Sequence, residues 1–67
     1  MITINQIILD VSEGLPKSAA NDLPMIRQAL NDSVDQAVRA GEMNEQRANA
    51  WAQDRAVRKV QIILAMK

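Results

Sequence analysis

The chain contains no cysteine and no histidine, a single aromatic residue (Trp51), two glycines and two prolines. Without cysteine there is neither a disulfide nor a thiolate metal site. Without histidine there is no imidazole to serve as a metal ligand or as a base near neutral pH. Carboxylates alone remain as metal ligands, and no tight acidic cluster gathers them, so no metal or cofactor is expected. Two glycines do not make a phosphate-cradling loop, and neither a Ser-His pair nor a His-Glu metal motif is present. Asp32 and Asp35 lie at i, i+3 on one helix face, a spacing compatible with acid–base work only inside a deep pocket that perturbs them. A chain of 67 residues has little volume for such a pocket. A solvated helix face is the plainer reading, and a protein without enzymatic activity is expected.

Long apolar runs are also missing. None approaches the roughly 18 residues that span a bilayer, and the amino terminus lacks a basic region followed by an apolar stretch. A cytoplasmic protein with no membrane role is therefore expected. "VQIILAMK" at the carboxyl end is apolar and closes on lysine. An interfacial helix, however, normally carries a broad basic face over a longer apolar one, so a core segment or an oligomer seam explains this stretch better.

Net charge is absent as well, because eight basic residues balance eight acidic ones. No overall field steers the molecule toward nucleic acid or membrane. The balance conceals an asymmetry: residues 1–45 hold three basic against seven acidic residues, net −4, and residues 46–67 hold five basic against one acidic, net +4. The two halves are expected to attract, within one chain or between two.

What the chain has is apolar residues, 48% of the total, arranged at helical spacing. A single domain, 1–67, is expected. Below roughly 70 to 80 residues one core is marginal and usually needs a staple. With disulfides and metals excluded, close helix packing and self-association remain.

Thr3 and Gln6 form a capping box, and Ile2 and Ile7 occupy the two positions of a hydrophobic staple. Ile4, Ile7, Ile8, Val11 and Leu15 follow at helical spacing, and Gly14 suits a left-handed stop. A first helix is predicted over about residues 4–13. "GLPKSAANDLP" is punctuation. Pro24 fits the first turn of a helix capped by Asn21 or Asp22; the second-ranked alternative is a helix that starts at Ser18 and kinks at Pro24. Leu23, Ile26, Leu30, Val34, Ala37 and Val38 then make one apolar stripe, with Arg27, Asn31, Asp35 and Arg39 on another face. Asp35 and Arg39 stand in the favourable i, i+4 order. Gly41 ends this second helix, about 22–40. Asn44 caps a third over about 45–65, with Met43 stapling onto Ala48. The turn is short enough to make the last two helices antiparallel neighbours. The predicted fold is all-α: a small three-helix fold in which a short amino-terminal helix packs on an antiparallel helical hairpin.

The third helix carries two apolar edges. Ala52, Ala56, Val57, Val60, Ile63 and Leu64 gather on one side of the wheel and are assigned to the core. Arg47, Trp51, Arg55, Arg58 and Ile62, spaced 4, 4, 3 and 4 apart, form a second stripe and the candidate partner-binding site. A guanidinium stacks on indole, and Trp and Arg are the types most enriched at interface hot spots. An alternative reading of equal weight has Trp51 capping the small core while the arginine stems snorkel over it.

The letters Gln-Ile-Ile-Leu occur at 6–9 and again at 61–64, but in different phase. In the first copy Ile7 and Ile8 join the core stripe and Leu9 points away; in the second Ile63 and Leu64 face the core and Ile62 is left over. An internal repeat is therefore not expected. Leu9, Ile62 and Met66 are the candidate oligomer contacts.

Arg47, Arg55, Arg58, Lys59 and Lys67 could also track phosphates. "IILDVSEGLPKSAANDL" has the outline of a helix-turn-helix, with Lys17 and Ser18 opening a would-be recognition helix. Against it, Asp10 stands where such motifs want a small apolar residue, Pro24 interrupts the second helix, and Asp10, Glu13 and Asp22 repel phosphate. The leading expectation is a non-enzymatic protein-interaction module of the adaptor or inhibitor kind, similar in size to small phage and bacterial regulators, that binds a protein partner and self-associates as a homodimer. The competing expectation is a small nucleic-acid-binding regulator.

Overall fold

The first helix, α1 (Ile4–Gly14), begins where the chain satisfies its own end groups. The Gln6 backbone N–H donates to Thr3 Oγ1 at 3.2 Å, and the Thr3 N–H donates to Gln6 Oε1 at 2.9 Å. Two of the orphan donors of a helix start are thereby paired. Its end departs from expectation, because Gly14 does not adopt a left-handed conformation and Gly41 is the only residue with positive φ. The stop is set one residue later: Leu15 is extended at φ −104°, ψ 145°, the conformation imposed on a residue that precedes proline, here Pro16.

The computed structural model describes residues 1–67 and contains no strand. After α1 a short 3₁₀ turn covers Lys17–Asn21, followed by α2 (Leu23–Arg39), α3 (Glu45–Ala50) and α4 (Gln53–Ala65). Asp22 caps α2, accepting from the Met25 N–H at 3.3 Å, with Pro24 in the first turn. The alternative start at Ser18 is excluded, since Ser18 lies in the 3₁₀ turn and Asp22 breaks the path into α2. Gly41, at φ +72°, closes α2. An L-residue with a β-carbon pays about 1–2 kcal/mol there. Asn44 caps α3 by accepting from the Gln46 N–H at 2.7 Å.

The long third helix anticipated over 45–65 is two helices. Trp51 (ψ 147°) and Ala52 (ψ 96°) are extended between them, without a glycine or proline to cause it. The cause is tertiary. At 100° per residue, a continuous helix would point Trp51 about 140° away from Ala56 and about 180° from Val60, into solvent. The break instead swings it against α2, where it packs on the core beside Val34 and Val38. A tryptophan offers about 150–250 Å² of burial, enough to outweigh the few backbone bonds that two extended residues forgo.

Side-chain bonds fix the helix order. Gln53 Nε2 donates to Asn31 Oδ1 (2.9 Å), Arg27 donates to Gln53 Oε1 (3.1 Å) and Asp54 Oδ1 (3.0 Å), and Gln61 Nε2 donates to the Ala20 carbonyl (2.9 Å). Advancing along α4 thus means retreating along α2, so the two are antiparallel. The Ile2 N–H donates to the Glu42 carbonyl at 2.8 Å, and Lys67 Nζ donates to the Leu15 carbonyl. Both ends of α1 are therefore tied, and α1 runs antiparallel to α2 and parallel to α4.

Between the three long helices lies one core. Ile26, Leu30, Val60 and Leu64 have no exposed surface, and Ile7, Ile8, Val11, Val34, Ala37, Met43, Ala56 and Val57 complete most of it. Two expected core positions are outside it. Leu23 opens α2 and stays 44% exposed, and Ala52 is exposed because it belongs to the break. Ser12, 1% exposed, is the one buried polar side chain, and its hydroxyl donates to the Ile8 carbonyl at 2.6 Å.

Candidate interaction surface

The break divides the stripe expected on one helix. Arg47 is exposed on α3, and Trp51 is more than half buried in a groove against α2. Arg55, Arg58 and Ile62 remain together on α4, all exposed. Arg55 lines a groove toward α1, and Arg58 lines one toward the 3₁₀ turn. No groove brings Trp51 together with an arginine of the stripe, because Trp51 turns toward α2 while Arg55 faces α1.

A different grouping is assembled where α1 and α4 run side by side. Asn5, Ile8 and Leu9 from α1 meet Lys59, Ile62 and Ile63 from α4 around a groove of about 340 Å³. Ile8 forms the buried floor. Leu9 and Ile62 stand on opposite walls, 56% and 53% exposed. They are the surplus aliphatic residues of the two Gln-Ile-Ile-Leu segments, and the parallel register of α1 and α4 puts both at the same height. Met66, 80% exposed, lies one turn past Ile62. The helix phase explains why these residues are outside the core: α1 spends its inner face on Ile7, Ile8 and Val11, and α4 spends its own on Ala56, Val57, Val60 and Leu64.

The electrostatics around this face are one-sided. Only two ion pairs exist in the molecule, Arg27–Asp54 at 3.0 Å and Asp35–Arg39 at 3.1 Å. Arg55, Arg58 and Lys59 therefore have no acidic partner. The attraction expected between the −4 and +4 halves is likewise not realised by pairing their excess charges. The one pair that joins the halves takes its cation from the acidic half and its anion from the basic half. All eight carboxylates are exposed, so none stands in a low-dielectric cleft, and no three of Asp and Glu come close enough to hold a metal ion.

Compared with family models, curated proteins and solved structures, the chain matches nothing.

Of the sequence-derived candidates, Leu9 and Ile62 are brought together and Met66 flanks them, while Arg47 and Trp51 are separated from the rest. The groove also contains Asn5, Ile8 and Ile63, which sequence reasoning did not place at a site, and Lys59, which it placed only among the candidate phosphate contacts. Ile8 and Ile63 were indistinguishable from ordinary core residues, and Lys59 was one of several basic residues on its helix. No α-helix opens at Lys17 and Ser18, which lie in the 3₁₀ turn, so the helix-turn-helix outline is not formed. No helix is long and apolar enough to cross a membrane.

Proposed function

We propose that this protein is a non-enzymatic protein-interaction module that docks a partner through the face shared by α1 and α4. The observation that carries this reading is the pair Leu9 and Ile62, more than half exposed on opposite walls of one apolar groove. Exposing one aliphatic residue is ordinary; two from distant segments at the same height beside an apolar floor are what supports a contact site here. The surface total agrees. The chain exposes 4576 Å², about 400 Å² more than the roughly 4,200 Å² usual for a monomer of 7.4 kDa.

Self-association as a homodimer is a second form of the same reading, favoured by that surplus. The stripe centred on Trp51 is no longer the preferred surface, because most of Trp51 is committed to α2. The test replaces Leu9 and Ile62 together by Asn and compares the variant with Arg47→Ala. The groove variant is expected to keep its helicity by circular dichroism and lose its partner or its dimer, while Arg47→Ala keeps both. Loss with Arg47→Ala and retention with the groove variant would return the site to α3.

A further inference from the structure

We infer that the α1/α4 groove accepts an amphipathic helix whose flanks are acidic. This rests on the reading of the groove as a docking surface and specifies what occupies it.

Shape comes first. The groove extends beyond Leu9 and Ile62, because Asn5, Ile8 and Lys59 line both it and a second depression that reaches Ile4, Ala52 and Arg55. From Ala52 to Ile63 the trough follows α4 for about 16 Å at 1.5 Å per residue, three turns of a docked helix. An extended peptide is a poor occupant. Both walls are helices whose backbone groups are already paired, and an incoming strand would lay its own N–H and C=O groups on apolar side chains without partners. A helix satisfies its backbone internally and offers aliphatic residues at i, i+3 or i+4, and i+7.

Charge then selects the flanks. Lys59 and Arg55 are the only charged residues lining the trough, and neither is ion-paired, nor is Arg58 on the same edge of α4. No carboxylate lines it. Asp10 faces the groove between α1 and α2, and Glu13, one turn beyond Leu9, lines neither part. A second copy docked face to face would bring the same cations together across the axis. Glutamate or aspartate beside the aliphatic anchors of a partner helix would instead pair with them.

The test is a displayed library of amphipathic helices about 14 residues long, near the shortest that hold helicity alone. Leucine is fixed at i, i+4, i+7 and i+11, and each flanking position is free to be Glu, Gln or Lys. Selected peptides are expected to be rich in Glu at the flanks. Their binding, measured by fluorescence anisotropy, should weaken about tenfold for the Arg55→Glu, Lys59→Glu double variant and vanish for the Leu9→Asn, Ile62→Asn variant. Arg55 and Lys59 are exposed, so the charge variant keeps the fold, and circular dichroism verifies it. Winners with neutral or lysine flanks that still need Leu9 and Ile62 overturn the acidic inference and leave the groove reading standing. Winners indifferent to Leu9 and Ile62 overturn both, as does a library that yields no binder. Tighter binding of a duplex DNA than of any selected peptide overturns the inference in favour of a polyanion. A dimer in sedimentation that Leu9→Asn, Ile62→Asn disperses overturns it in favour of a second copy.

Discussion

Replacing Trp51 by Ala tests the argument that tertiary burial breaks the helix at 51–52. Trp51 is more than half buried against Val34 and Val38, so about 100–160 Å² of a residue that can bury 150–250 Å² is at stake. At about 25 cal/mol per Å² the loss is about 2.5–4 kcal/mol. Alanine returns about 0.5 kcal/mol in helix propensity, because nothing then holds residues 51 and 52 extended. The net cost is about 2–3.5 kcal/mol. For 67 residues a total stability of roughly 3–10 kcal/mol is usual, so the variant should still fold but unfold at markedly lower urea. Its distinctive signature is the direction of the helical signal. Far-UV circular dichroism should stay level or rise as α3 and α4 fuse, and NMR Cα shifts at 51 and 52 should move from extended to helical. A stable variant that keeps extended shifts there would refute the reasoning, since the break would then be written in the local chain.

Further outcomes follow from the ends of the helices and the one buried hydroxyl. Gly41→Ala should cost about 1–2 kcal/mol because φ is +72°, whereas Gly14→Ala, with open space around the new methyl, should gain about 0.5 kcal/mol; equal signs in thermal melts would contradict the assigned backbone conformations. Thr3→Ala should lose about 1 kcal/mol, and a double-mutant cycle with Gln6→Ala should show that the two are coupled, because each satisfies the other's backbone N–H. Ser12→Ala should change stability by less than about 1 kcal/mol, because its hydroxyl only doubles a bond on a carbonyl of its own helix; a loss above about 2 kcal/mol in urea unfolding would mean that the hydroxyl has a further partner.

Local chemistry was legible wherever a feature is complete within a few residues. The capping box at Thr3 and Gln6, the Asp22 and Asn44 caps, the left-handed Gly41 and the Asp35–Arg39 pair all stand where their spacing places them. Gly14 was misjudged because two stop signals overlap there, and the extended conformation required before Pro16 prevails over a left-handed glycine. The network of Arg27, Asn31 and Gln53 was half visible: Arg27 and Asn31 share a face of α2 by periodicity, yet Gln53 could be assigned to them only once α4 was known to start beside them. The site behaves similarly. Phase alone marked Leu9 and Ile62 as surplus, but not that they would stand on opposite walls of the same groove, because that depends on α1 and α4 running parallel and in register.

The apolar spacing and the caps of the chain determine an all-α protein, with helices starting near residues 4, 22 and 45 and a core drawn from Ile7, Ile8, Ile26, Leu30, Val60 and Leu64. Short-range hydrogen bonds and the 3.6-residue period are properties of neighbours in sequence and need no partner helix to be read. Only the tertiary structure decided that the last helix breaks at Trp51 and Ala52, that the arginine and tryptophan stripe is divided, and that Leu9 meets Ile62. Each of these depends on which surface a side chain finds across the molecule, and the burial available there exceeds the small local preference that alone would have carried the helix straight through.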